Sequence, residues 1–365
     1  MSDKFADLIF DEDHTDHDIR VVVGSSRLMP DVKVIAAFDR AVGPGRTYLA
    51  PIRWIDTAAR ASEVQGPRSP LLDDLRRQAV NLRSKIRSMD KLGLSTIRFS
   101  EKFAAARVFI CTSRASDSSV WNLGRRFLEE VGAAMNERVV SQVDYDQRRK
   151  HPDLGSALES IDFKTKHEPS AIATIAAFDC ILQRNGILLR DSRWSVRGVG
   201  DLGIRIVRLL VQRGVRSVHA FDIDPQRTRP LLSVPEVKVC ASEEEFLASD
   251  VHAQVSAAEA GWLNMSVAER IVSSRTLIAF GGPEAGLDRN SEAIRLATST
   301  GKTFIPSMLC GSLGLVSNMI EVLGQDEDLA DQEQRLRALV GRIASLAAEK
   351  NVHFHQAFGE YLSAS

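Results

Sequence analysis

The sequence predicts an α/β protein of two domains, an α+β half followed by a doubly wound parallel sheet. Three observations carry that expectation. The chain has 365 residues, more than one hydrophobic core usually supports. Its second half alternates short apolar strands with helical stretches, the rhythm of crossover units in a parallel sheet. One of those strands runs straight into a glycine turn that opens a helix.

The elements follow in order. Arg20 to Asp39 reads as two β-rich segments around a turn at Pro30, and Gly43 to Pro51 as a glycine- and proline-punctuated loop. Asp56 to Met89 is helical, broken near Gly66-Pro67. Ala106 to Ser113 is a buried-strand pattern, Ser118 to Met135 an amphipathic helix, and ERVVSQVD a returning strand. These belong to a first domain spanning 1–165. A helix from about Ser170 to Arg184 introduces the second, spanning 166–330. Its strands are WSVR, the segment ending at Asp222, VKVC, HAQVSAA, TLIAFGG and KTFIPSM. The last helices, 331–365, either fold back onto the first half or serve oligomer contacts.

Charge excludes some partners. Lys and Arg number 47 and Asp and Glu 48, a formal net charge of −1. Neither a phosphate backbone nor an anionic membrane is matched by such a surface. No apolar run reaches the ~18 residues of a membrane helix. The acidic start, MSDKFADLIFDEDHTDHD, lacks the basic and apolar regions of a secretory signal. A cytoplasmic chain is expected. Cys111, Cys180, Cys240 and Cys310 form no CxxC pair and read as free, mostly buried thiols. His353 and His355 form H-x-H without a third ligand nearby, so no metal site is expected.

The chemistry-bearing motif is GVGDLG, with Gly198, Gly200 and Gly203 as G-x-G-x-x-G. Alone the pattern is weak. Here a strand precedes it, an amphipathic helix follows it, and the next strand ends in acid, which is the Rossmann context. Gly198 permits the tight turn, Gly200 lets backbone approach a pyrophosphate, and Gly203 lets the helix pack closely. The helix N-terminus offers N–H groups and a positive dipole end to the phosphates. Asp222 stands where an acid accepts the adenine ribose hydroxyls and repels a 2′-phosphate, which favours NAD over NADP. Asp201 and Leu202 within the turn and Ile223 beside the acid complete the expected cofactor set. Arg227 and Arg229 follow closely; they either blunt the preference or are ordinary solvated charges.

With this motif placed second, the chain resembles the glutamate/leucine/phenylalanine/valine dehydrogenase family, the leucine and phenylalanine branch above all. FDRAVGPG looks like the family's H-D-x-x-x-G-P-x segment. ERVVSQVD looks like R-Y-x-T-A-x-D, and FIPSMLCGSLGLVSN like the late Y-x-P-D-x-x-x-N-A-G-G-V loop. The resemblance implies a substrate domain before a NAD domain, with a cleft between them, and a homo-oligomer, here expected to be a dimer. It makes Asp144 the catalytic aspartate, with Asp146 its neighbour and competitor.

Several positions depart from the family. Its G-G-G-K-A, whose lysine activates water, is matched by Ala104-Ala105-Ala106-Arg107-Val108. A guanidinium keeps its proton and cannot be a base. The late asparagine falls on Gly311, an asparagine pair on Pro283-Glu284, and a glycine pair on Thr47-Tyr48. Lys91 matches a substrate-binding lysine, and Lys102 is a second amine near Arg107. Arg107 is either a clamp for a substrate anion or a structural ion-pair partner at a strand end. The leading expectation is therefore a NAD-dependent oxidoreductase acting at C=O, C=N or CH–NH2 of a non-standard, anionic small substrate. The alternatives are a non-redox enzyme using the same cleft and a non-catalytic NAD-binding homologue.

Overall fold

A computed structural model describes residues 8–11, 19–25, 29, 31–39, 46–55, 70–113, 118–143, 167–258, 262–283, 288 and 290–364. The chain divides into two compact units, 1–90 with 96–165, and 91–95 with 166–365.

The first unit is built on a six-stranded mixed sheet. Its strands are β1 (Leu8–Asp11), β2 (Ile19–Ser25), β3 (Lys33–Asp39), β4 (Thr47–Ile55), β5 (Phe103–Cys111) and β6 (Arg138–Val143). They lie in the order β1-β2-β3-β5-β4-β6. β1 to β5 pair antiparallel across this order, while β4 runs parallel to both β5 and β6. Every residue of β5 is buried, as expected of a central strand covered on both faces. The alternation sorts its side chains. Ala104, Ala106, Val108 and Ile110 join the core under α3 (Ser118–Met135), with Trp121 and Phe127. Phe109 and Cys111 join the core under α1 (Pro70–Leu92), with Leu71, Leu72 and Leu75. A short helix, α2 (Phe99–Lys102), leads into β5, its first N–H groups accepted by the Asp90 carboxylate.

Two strands differ from the sequence reading, and α2 is absent from it. β1 lies inside the acidic start, where four residues are too few to show a period. The expected loop from Gly43 to Pro51 is a strand from Thr47 onward. Pro51 misled the reading, because its missing N–H usually bars it from an inner strand. The structure accommodates it: the ladder to β5 lapses at Ala50 and Pro51 and resumes at Ile52.

The second unit is an all-parallel sheet in the order β12-β11-β10-β7-β8-β9. Its strands are β7 (Arg193–Arg197), β8 (Ser217–Phe221), β9 (Val237–Val239), β10 (Ala253–Ser256), β11 (Ala279–Gly281) and β12 (Thr303–Ile305). The helices are α4 (His167–Arg184), α5 (Asp201–Gln212), α6 (Pro225–Thr228), α7 (Glu243–Leu247), α8 (Met265–Ser273), α9 (Ser291–Thr298), α10 (Ser307–Val322), α11 (Leu329–Lys350) and α12 (Phe354–Ala364). Strand order reverses between β7 and β10, which opens the crevice at the carboxyl edge where doubly wound sheets bind ligands.

The C-terminal helices pack within this unit. Arg337 of α11 reaches the buried Asp179 of α4 at 2.6 Å, and Glu333 bridges Arg337 to Arg213.

Candidate active site

The site grows from the end of β7. Gly198 has φ +82°, a conformation that L side chains rarely adopt. A Cβ there would stand 2.7 Å from the Ala258 backbone nitrogen, so the turn needs glycine for space as well. A Cβ on Gly203 would lie 1.8 Å from the Gly198 carbonyl oxygen, so helix α5 abuts its own turn. Gly200 is the N-cap of α5 and has no side chain to satisfy the first N–H groups. Other helices of this unit use a side chain there: Asn264, Asn290 and Asp328 cap α8, α9 and α11. At α5 the donors and the dipole end are left for an anion.

Asp222 is fixed against this turn. One carboxylate oxygen accepts the Val199 N–H at 2.7 Å and the other accepts the Asp224 N–H at 2.9 Å. Each carboxylate oxygen accepts more than one hydrogen bond, so capacity is left for two ribose hydroxyls. Ile223 beside it is 87% exposed, an apolar face at the end of β8 on which a purine ring could rest. Asp201 and Leu202 open α5 as its first two residues. All seven residues of the expected cofactor set therefore lie in one β-turn-α-β unit, and the residues present fit a dinucleotide.

Sequence reasoning missed the supporting layer. Ala258 backs the Gly198 turn, and Arg197, just before the turn, pairs with Glu243 at 2.7 Å and lies over the Trp262 ring. Gly281 and Gly282, at φ +144° and +145°, bring backbone against Ile305 and Ser256. The glycine doublet closing TLIAFGG was the available signal.

The catalytic residues expected from sequence have different placements. Arg107 is in the middle of β5, 7% exposed, and pairs in register with Ala37. It shares the α1-facing side with Phe109, whose ring lies 5.9 Å from its guanidinium carbon. The register places it opposite Pro51, where the ladder to β4 lapses. Lys91 belongs to the second unit, where its ammonium donates to the Leu362 carbonyl while Tyr361 donates to the Lys91 carbonyl. Lys102 ends α2 and is exposed. Tyr48 is a core residue, donating to the Asp39 carbonyl at 2.8 Å and meeting Phe38 edge-on. Gly311 has open space where a side chain would project. Asp144, Asp146 and Glu284 lie outside the described residues.

The free cysteines Cys111, Cys240 and Cys310 are buried, and Cys180 is half-buried. Burial pushes the Cys111 thiol up to about 12 and raises Cys310 too, so neither is a thiolate nucleophile at neutral pH. His353 and His355 stack with centroids 5.7 Å apart at the start of α12. Among the described residues no three His, Cys, Asp or Glu side chains cluster as metal ligands. No described helix is long and apolar enough to cross a membrane.

No family model matches the chain, and no curated protein matches its sequence. Solved structures do match. The chain is similar to L-tryptophan dehydrogenase from Nostoc punctiforme, with a TM-score of 0.67 over 94% of each chain and 16% identity. It is also similar to the hetero-hexameric glutamate dehydrogenase from Thermus thermophilus, at 0.59 and 14% identity, over 95% of this chain and 88% of that one. Glutamate dehydrogenase from Peptoniphilus asaccharolyticus gives 0.57 and 13% identity, over 95% and 89%. The chain has the fold of amino acid dehydrogenases. At these identities the likeness is one of fold, a substrate-domain sheet followed by a Rossmann domain.

Proposed function

We propose that the protein is a NAD-dependent oxidoreductase that moves hydride to or from a C=O or C=N carbon, or a CH–NH2 group, of a small anionic substrate. The observation that carries this reading is the Asp222 carboxylate held on Val199 N–H beside the Gly198 turn. A turn tight enough to admit only glycine, an uncapped helix start and a fixed ribose acceptor together match a dinucleotide with a free 2′-hydroxyl. NAD supplies the hydride chemistry when bound. This chain's part is to seat the pyrophosphate on α5, to hold the adenine ribose on Asp222 and to exclude a 2′-phosphate. Asp144 is retained as the residue that exchanges a proton with the reacting heteroatom, and Arg107 as the anion partner. Lys91 is the weakest of the three, since its ammonium is already engaged by Leu362.

Calorimetric titration tests the site: NADH should bind, and more tightly than NADPH. Equal or tighter NADPH binding would remove the specificity, and binding of neither would remove the site. A second reading is favoured by Arg107 standing where the resembled family has its lysine. In it the protein binds NAD without dehydrogenating an amino acid, as a non-redox enzyme or a binding subunit. We also propose a homodimer assembled through the first unit, whose sheet ends, among the described residues, in the edge strand β1. Light scattering at micromolar concentration should give twice the monomer mass; a monomer would refute it.

A further inference from the structure

The two arginines after the ribose acid decide whether one carboxylate is enough to set cofactor choice. A guanidinium is the side chain best suited to a phosphate, because its fork donates two parallel hydrogen bonds to two oxygens. Arg227 and Arg229 stand five and seven positions beyond Asp222, close enough in sequence to serve a 2′-phosphate. The structure shows both engaged. Arg229 donates to the Gln226 side-chain oxygen at 3.0 Å. The Arg227 Nε lies 3.6 Å from the Asp224 carboxylate.

Asp224 is more than a partner for Arg227. It is the N-cap of α6, accepting the Gln226 N–H at 3.0 Å, while its own N–H donates to Asp222. The turn is anchored below by buried Thr228, whose hydroxyl donates to the Pro225 carbonyl, and by buried Leu231. The same residue thus orients the ribose acid through its backbone and occupies the nearby cation through its side chain.

We propose that Asp224 is a second determinant of cofactor choice, a positioning residue that holds Arg227 away from the 2′ position. This rests on the dinucleotide reading above and deepens it: selectivity against a 2′-phosphorylated dinucleotide comes from a direct repulsion by Asp222 and from withholding the cation that would compensate it. Asp222 alone is half of the device.

The test is calorimetric titration of NADH and NADPH into the wild type and the Asp222→Asn, Asp224→Asn and doubly substituted proteins. Asparagine keeps the capping oxygen of residue 224, so the turn is preserved while the charge is lost. Asp224→Asn should raise the ratio of NADPH to NADH affinity about twofold to fivefold, the scale of an exposed ion pair. The double variant should exceed the product of the single effects. The gain should shrink at high salt, where charge interactions are screened. The deciding control is Arg227→Gln in the Asp224→Asn background, which should erase the gain. A gain that survives this control reflects charge removal alone and overturns the proposal, as does an unchanged ratio in Asp224→Asn. If no protein of the set binds either nucleotide, the dinucleotide reading itself fails and this inference with it; NADH binding with an unmoved ratio defeats only the inference.

Discussion

In the proposed reading, Arg107 stands where an amino acid dehydrogenase has its lysine base. Oxidative deamination needs a base to deprotonate the attacking water, and a guanidinium, a donor without an acceptor, does not supply one. Leucine, valine, phenylalanine, tryptophan and glutamate should therefore be deaminated extremely slowly. Losing a general base removes roughly 10²–10⁴-fold of rate, and a turnover above ~1 s⁻¹ on any of them, measured as NADH formation, contradicts this expectation. Asp144→Asn should abolish turnover of the true substrate. At this scale the sequence was legible where chemistry is local. Gly198 and Gly203 were readable because a turn and a close approach each demand glycine at a set spacing; the bond from Val199 N–H to Asp222 was not. Lys91 was not, because its tie to Leu362 joins positions far apart in the chain.

Among the elements, the β7-turn-α5 unit has the least tolerance. A methyl group on Gly203 would meet the Gly198 carbonyl at 1.8 Å, and backbone cannot swing away as a side chain does. Gly203→Ala should lower unfolding stability by about 1–3 kcal/mol, the usual cost of overpacking. It should also weaken NADH binding, because relief requires the helix start to withdraw from the turn. Chemical denaturation and calorimetry read the two effects separately, and an unchanged midpoint would rule out the close packing. Periodicity revealed the long elements, Ser118–Met135 most directly. It concealed β4, where Pro51 reads as punctuation although the ladder to β5 simply lapses around it. Strand position in a sheet depends on partners distant in sequence, and Pro51 gave no sign of them.

For the whole molecule, the half-buried histidines set a pH response. Desolvation lowers His219, His252 and His355 below the ordinary value of 6.5, and His353 adds to the effect on His355. The unfolded chain then takes up protons before the folded one does. Stability contributed by these groups is complete above about pH 6.5 and is lost as pH falls through their folded-state values. Thermal melts should show Tm falling from about pH 7.5 to about pH 5.5, and His355→Phe should flatten that slope. A Tm unchanged or rising over this range would contradict it. The two-part architecture was legible from strand rhythm, but the path of the chain was not. Lys91–Ser95 belongs to the second unit although 1–90 and 96–165 form the first. Leu92 and Leu94 are buried, and Ser95 donates to Glu327 of the second unit at 2.9 Å. A single cut near residue 165 therefore leaves a piece of the second unit on the first fragment. A gene fragment encoding 166–365 would lack this inserted peg and its bonds to Glu327, Tyr361 and Leu362, whereas coexpressed halves or a circular permutant that retains 91–95 would keep it. Recombination that exchanges the first unit between relatives must carry this peg across or lose the fit.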